Sequence, residues 1–484
     1  MQFVSLMFLL FLVGSTAIYY LCPQRVKKFI VLFANLVFYA SFGLQNLCIL
    51  VMMMVLSFFG GKVLSKREDN KKRLILFVVL SLLPLFILKY CGFFVQSLSE
   101  LSNRFAININ LPKVSFMEPI GISFFTFKVI SFLAESWKGT IKEKISLLDY
   151  AIYISFFPAI TSGPIDRPNS FLEQLDQPKI FDERQVMEGI LMALWGYFEK
   201  MILADRLAII VGAVYGEYAR YTGFVLLLTS IFYTLQIYYD FAGYTNIARG
   251  VARIWGYTCQ ENFEQPYFSH SIREFWQRWH MSLSSWLKDY VYIPLGGNRK
   301  GIAYKYRNLL ITFLVSGFWH GAGWNYIAWG LLHGFYQVIG DSTWRVRSHL
   351  KQKLHYKDSF LDKAIQMAIT FLLVNFAWIL FRGQGGITGA IEIIRRIFLK
   401  GPIYVSWIWE SGITKIEFLC MIVAGGLVCL VDGLRYHKKS VMKVYFSSPV
   451  VCRFLVLYIL IFTILIWGIY GPGYDLASFI YFHF

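Results

Sequence analysis

The chain of 484 residues is 57% apolar and only 16% charged, against about 25% charged in ordinary soluble domains, which excludes a soluble enzyme and places the protein in a membrane. Its net charge of +18 does not point to nucleic acid, because the basic residues gather in loops between apolar runs, as positive-inside topology requires. Seven cysteines stand scattered without a Cys-x-x-Cys pair, which speaks against a disulfide framework or a zinc site.

In chain order, apolar runs approaching the roughly 20 residues needed to span hydrocarbon recur at 4–20, 74–88, 224–239, 364–381 and 454–469. The first lacks a basic leading region and a small-x-small cleavage pattern, so it reads as a retained helix rather than a signal peptide. No linker, low-complexity tract or internal repeat interrupts the chain. The expectation is a single all-α integral-membrane domain over 1–484, a polytopic helix bundle with its core motifs at about 119–340.

Basic clusters at 25–28, 62–73, 273–307, 345–363 and 435–443 mark the cytoplasmic loops. Counting from them puts the N-terminus and the terminal "FIYFHF" outside, with about eleven apolar segments, one of them partial. A full crossing at 153–163 would put the basic 273–307 loop outside. A half-crossing that turns back at "TSGPIDRP" restores the order, since Gly163 and Pro164 break a helix, and irregular backbone at that depth survives only when buried in protein or lining a wet cavity. The stretch "AIEIIRRIFLK" reads as an amphipathic interfacial helix.

Four stretches are unusually polar: residues 119–139 with Ser123, Thr126 and Ser131; "FFPAITSGPIDRP" with Asp166 and Arg167; "QIYYDFAGYTNIARG" with Asp240; and 262–301 with Trp276, Trp279, Trp286, Arg273, Arg278 and Lys288. The last ends in "LGGNRKG", a turn presenting cations and backbone N–H groups to a phosphate-bearing donor or an acidic carrier protein; the bland alternative is contact with anionic headgroups. Most histidines have plain readings. His349, His355 and His437 lie in basic loops, His483 at the terminus, His280 in an interfacial aromatic run as a structural hydrogen-bonder, and His270 before a helix as a cap.

His320, in "SGFWHGAGWN", and His333, in "LLHG", lie in apolar segments, each followed by glycine. An intramembrane ionisable group is a functional candidate by default; on composition His320 reads as functional and His333 as a core histidine. On one helix, thirteen residues apart, they would face nearly opposite ways, so no shared metal site is expected. A buried neutral imidazole can take a proton from a hydroxyl attacking an acyl carbonyl. No Gly-x-Ser-x-Gly elbow and no paired carboxylates appear, leaving direct transfer to a hydroxyl acceptor.

The ordered motifs "PIGISFFTF", "FFPAITSGPIDRP", "QIYYDFAGYTNIARG", "FWQRWHMSLSSWLKDYVYIPLGGNRKG" and "SGFWHGAGWNYIAWGLLHG" resemble the membrane-bound O-acyltransferase (MBOAT) superfamily, in its alginate O-acetyltransferase branch. One departure is "LAESWKG", where an Asp-Val-Tyr-Arg-Gly-like ending is expected. The resemblance implies an MBOAT-type funnel in which a cytoplasmic donor and an external acceptor meet at His320, with His333 as a second catalytic candidate. Gly321 and Gly323 would leave room for a thioester, and Trp319 and Trp324 would exclude water. Asn325, Tyr239, Asp240, Arg278, His280 and Asp289 complete the expected substrate-contacting set. The implied function is transfer of an acetyl group from acetyl-CoA or another acyl thioester, or from an acyl carrier protein, to an extracytoplasmic polysaccharide or peptidoglycan, directly or through an external partner enzyme. No tightly bound cofactor and no metal are expected. The bacterial plasma membrane is the expected location. D-alanyl transfer to teichoic acid and a glycan transporter are the alternatives.

Overall fold

A computed structural model describes residues 1–66, 71–105, 107, 112, 116–141, 145–353 and 359–470. Regular structure among them is helical, apart from an isolated bridge between Phe263 and Trp279. His355, His483 and the terminal "FIYFHF" motif fall outside the described residues. Six described helices are long and apolar enough to cross a membrane: Leu44–Leu64, Lys71–Arg104, Phe224–Ile254, Phe360–Arg382, Lys415–Tyr436 and Val450–Trp467. Leu6–Leu21 is apolar but shorter. The Val450–Trp467 helix is apolar nearly all round, yet Ile464 is its one buried residue; such a helix is stable only where lipid is its solvent.

The chain divides into two compact units, Met1–Ala193 with Thr245–Gln260 and Leu194–Tyr244 with Glu261–Phe484. In the first, the segment expected to turn back is broken twice. Pro158 has no N–H, and its ring excludes the carbonyl four residues earlier, so the Leu147–Ser155 helix stops ahead of it and the four-residue helix Phe157–Ile160 follows. The break therefore begins earlier than Gly163. Residues 150–166 are all buried, and the backbone groups freed there find partners. Asn35 accepts from the Phe157 N–H at 2.9 Å while its amide donates to Ser155 at 3.2 Å. The Tyr153 hydroxyl donates to the Asp166 carbonyl at 3.0 Å, and the Asp166 carboxylate accepts from the Gln260 N–H at 2.9 Å.

In the second unit, the Ile302–His320 and Trp324–Ser342 helices form an antiparallel hairpin. Lys305 and Asp341 close its open end at 2.6 Å. Glycines let the backbones meet: a methyl group at Gly317 would overlap the Tyr326 carbonyl, and one at Gly330 would overlap the Phe313 carbonyl. The stretch expected to be amphipathic forms the Gly386–Ile397 helix, which buries Gly389, Ala390 and Ile393 and exposes Arg395. Hydrogen bonds from Arg395 and Arg396 hold the Glu392 carboxyl down at about 2, so this face keeps its charge pattern at any physiological pH.

Gly330→Ala should lower stability by about 1–3 kcal/mol through overpacking against the facing backbone. Gly340→Ala, on the same helix with open space around it, should be neutral or gain about 0.5–1 kcal/mol from helix propensity. Thermal unfolding of the detergent-solubilised variants checks the contrast.

Candidate functional site

His320 is the last residue of its helix. It is 3% exposed and set among rings: Trp319 at 4.8 Å, Trp329 at 5.0 Å and perpendicular, Phe381 at 5.3 Å and His280 at 6.4 Å between centroids. Trp319 and Trp329 come from the two hairpin helices and Phe381 from the end of the Phe360–Arg382 helix. The site is thus assembled from segments far apart in sequence.

His333 is wholly buried on the second hairpin helix. Its Nδ1 lies 3.2 Å from the Trp276 indole nitrogen. An indole N–H can only donate, so Nδ1 accepts and the imidazole proton sits on Nε2. The expectation that the two histidines face opposite ways fails because the chain turns at 321–323, so they stand on paired helices rather than on one. Trp329 lies between them, perpendicular to His320 at 5.0 Å and 5.1 Å from His333.

His280 has left-handed backbone, with φ of 43°, a conformation uncommon for a residue with a Cβ. Asn262 braces this corner: its carbonyl accepts from the Met281 N–H at 3.0 Å and its side chain from the Ser282 hydroxyl at 2.6 Å. The His280 ring is fully buried, edge-on to Phe241 at 4.6 Å and 5.9 Å from Trp319. It stands in the cluster around His320.

Two calls need correction. The room beside Gly321 is taken by the Tyr326 ring, which a Cβ there would strike, so the glycine admits a tyrosine. Trp324 is 52% exposed because it opens its helix and points away from the packed side; Trp319, Trp329 and Phe381 form the wall instead. Asn325 is buried and donates to the Phe381 carbonyl at 3.3 Å, tying the hairpin turn to the helix that carries Phe381.

The remaining calls fall in separate clusters. Asp240 pairs with Lys200 at 2.6 Å, and Lys200 also meets Asp205 at 2.7 Å, all three buried. Tyr239 is buried 5.5 Å from Tyr238, whose hydroxyl donates to Asp432 at 2.8 Å. Arg278 binds Glu274 at 3.0 Å and the Glu264 carbonyl at 3.1 Å, and lies over the Tyr436 ring. Asp289 lies in the π turn Lys288–Tyr292.

Sequence reasoning passed over Trp329, Phe381, Tyr326 and Arg382. Trp329 had a signal, since it precedes His333 by four residues and shares its helix face. Phe381 had none, because its partners come from another part of the chain.

A family model for the membrane-bound O-acyltransferases matches residues 34–381. Among curated relatives, a probable alginate O-acetylase AlgI of Pseudomonas aeruginosa is 34% identical, covering 92% of this chain and 83% of its own. A peptidoglycan O-acetyltransferase of Helicobacter pylori is 32% identical over 77% of this chain and 74% of its own. A teichoic acid D-alanyltransferase of Bacillus subtilis is 28% identical over 71% of this chain and 86% of its own.

Lys200→Met would leave the Asp205 and Asp240 carboxylates buried without their cation, an arrangement that costs about 3–5 kcal/mol when one partner of a buried ion pair is removed. The folded yield and melting temperature of Lys200→Met should fall well below those of Asp240→Asn, which leaves Lys200 paired with Asp205; size-exclusion profiles and thermal melts of both variants check this.

Proposed function

Because the chain belongs to the membrane-bound O-acyltransferase family and is a multi-pass integral-membrane O-acyltransferase, we propose that it moves an acetyl group from a cytoplasmic thioester to hydroxyls of an extracytoplasmic polysaccharide or peptidoglycan. The observation that carries this reading is the buried imidazole of His320, at the meeting point of three helices and walled by aromatic rings. Relatives named for alginate and peptidoglycan O-acetylation support the acetyl group and the glycan acceptor. In this reading the donor is acetyl-CoA or an acyl carrier protein, the location is a bacterial plasma membrane with both termini outside, and the acetyl group reaches the glycan directly or through an external acetyltransferase.

In this mechanism His320 takes the proton of the acceptor hydroxyl as its oxygen attacks the thioester carbonyl. The C–S bond then breaks, and the imidazolium returns its proton to the departing thiolate. Trp319, Trp329 and Phe381 keep out the water that would otherwise hydrolyse the thioester. His333 acts through Trp329 and Trp276 as a positioning residue, because its Nδ1 is already an acceptor. On the donor side the "LGGNRKG" turn supports phosphate recognition. Gly296 and Gly297 have φ of 106° and 56°, the Asn308 amide donates to the Leu295 and Gly297 carbonyls at 3.2 and 2.8 Å, and Arg299 and Lys300 follow. The N–H groups of Gly296, Gly297 and Arg299 are taken by the Ile293, Tyr292 and Gly296 carbonyls, so the turn offers a phosphate the exposed side chains of Arg299 and Lys300 rather than the free backbone N–H groups expected from its sequence.

His320→Ala should reduce acetyl transfer by about 10²–10⁴-fold, the usual contribution of a positioned base, and His333→Ala should reduce it less. Proteoliposomes supplied with isotopically labelled acetyl-CoA, with ester formation on glycan acceptors followed by mass spectrometry, provide the measurement. Transfer by His320→Ala at the wild-type rate would sink the reading.

A further inference from the structure

Among the buried polar atoms of the second unit that have no hydrogen-bond partner among the described residues are the hydroxyls of Tyr215 and Tyr233, Oε1 of Gln236 and Nε of Arg382. They belong together. Tyr215 and Tyr233 are wholly buried with rings 6.4 Å apart, and the Arg382 guanidinium lies 5.8 Å from the Tyr233 ring centre. Gln236 follows Tyr233 by three residues in the same helix and so shares its face. Arg382 also interacts electrostatically with the phenols of Tyr215 and Tyr326.

This cluster adjoins the histidine. Arg382 follows Phe381, whose ring is 5.3 Å from His320, and the Tyr326 ring is 5.2 Å from Phe381. It also lies on the acceptor side. The Phe360–Arg382 helix begins beside the basic 345–363 stretch, so positive-inside topology puts Arg382 at its external end.

Buried donors and acceptors without partners are rare in native proteins and call for an occupant. Here three donors, a guanidinium N–H and two phenolic O–H groups, converge with one amide oxygen. An anion with several lone pairs satisfies the donors, and a neighbouring hydroxyl satisfies Gln236. The buried Lys200, in the Glu199–Ala204 turn, is taken up by Asp205 and Asp240, whereas Arg382 has no ion-pair partner among the described residues. Resting on the acyl transfer proposed above, we infer that Tyr215, Tyr233, Gln236 and Arg382 form the acceptor subsite for the carboxylate of an acidic sugar, and that binding it presents the sugar's hydroxyl to His320.

The test uses the full-length protein in proteoliposomes with labelled acetyl-CoA and three acceptors: an oligouronate, its carboxyl-reduced neutral analogue and a glycerol-phosphate oligomer. The wild-type protein should prefer the oligouronate. Arg382→Gln should cut the preference over the neutral analogue by about 10–100-fold, the scale of a lost charged hydrogen bond, mostly in KM. Arg382→Lys should recover part of it, and Tyr233→Phe, which keeps the ring and removes one donor, should lose a smaller share. Equal use of the acidic and neutral acceptors by the wild-type protein, preference for glycerol phosphate, or an unchanged ratio in Arg382→Gln would each overturn the subsite. Stabilisation of the protein against heat by the oligouronate needs no turnover and should vanish in Arg382→Gln. That binding readout separates the two proposals: if it holds while no acceptor is acetylated in a His320-dependent way, the acyl-transfer reading fails and the carboxylate site stands.

Discussion

A polar group placed among apolar rings at membrane depth must be given a partner or a purpose, because lipid offers neither. His320 is held under that constraint, and much of the second unit is arranged to meet it. The hairpin turn ends the helix at the histidine, so the ring projects from a terminus rather than from a helix flank. The paired glycines at 317 and 330 bring the second helix close enough for Trp329 to stand perpendicular to the imidazole. Asn325 then fastens the turn to the Phe381 carbonyl, which sets the third wall. Each element is ordinary by itself; together they fix one ring's position, as the proposed proton transfer requires.

Hydrogen bonding limits what His333 can do in the proposed reaction. A ring nitrogen that accepts from an indole cannot also accept a proton from a substrate without breaking that bond. His333 is therefore committed by Trp276 to a fixed tautomer, with Trp329 standing between its ring and that of His320. His280 adds a second buried imidazole near the first, held in left-handed backbone by the braced corner at Asn262. Strain of this kind persists only where surrounding contacts over-determine it.

How much of this was legible in the sequence depends on the range of the interaction. Residues that act through composition or local pattern were readable: the all-helical membrane character and the amphipathic helix now seen at Gly386–Ile397. The break was placed at Gly163 and Pro164, whereas the helix already stops at Ser155, ahead of Pro158, whose signal was passed over. What could not be read were contacts closed by tertiary packing. The one-helix reading of His320 and His333 missed the turn at 321–323, where Gly321 and Gly323 have extended backbone that any residue can adopt and that carries no periodic signal. Gly321 looked like space for a ligand because its sequence neighbours could not show Tyr326 folding back over it. Asp240 looked like a site acid because Lys200, its partner, lies forty residues away.

That partnership depends on an irregularity in the helix. Lys200 lies in the π turn Glu199–Ala204, where an extra residue per turn changes the face that later residues present. In a regular helix, residues five apart point about 140° away from each other. The wider turn reduces that divergence, so that Lys200 and Asp205 meet at 2.7 Å. Gly243 allows the facing helix to approach this turn, with a Cβ there only 2.8 Å from the Gly196 carbonyl, and this closeness brings Asp240 to the same ammonium. One local departure from α geometry thus joins two acids to one cation in a low-dielectric interior, where an unmatched charge would be costly. It also ties the helix that carries Tyr233 and Gln236 to its neighbour, so the proposed carboxylate subsite rests on an ionic contact formed outside it.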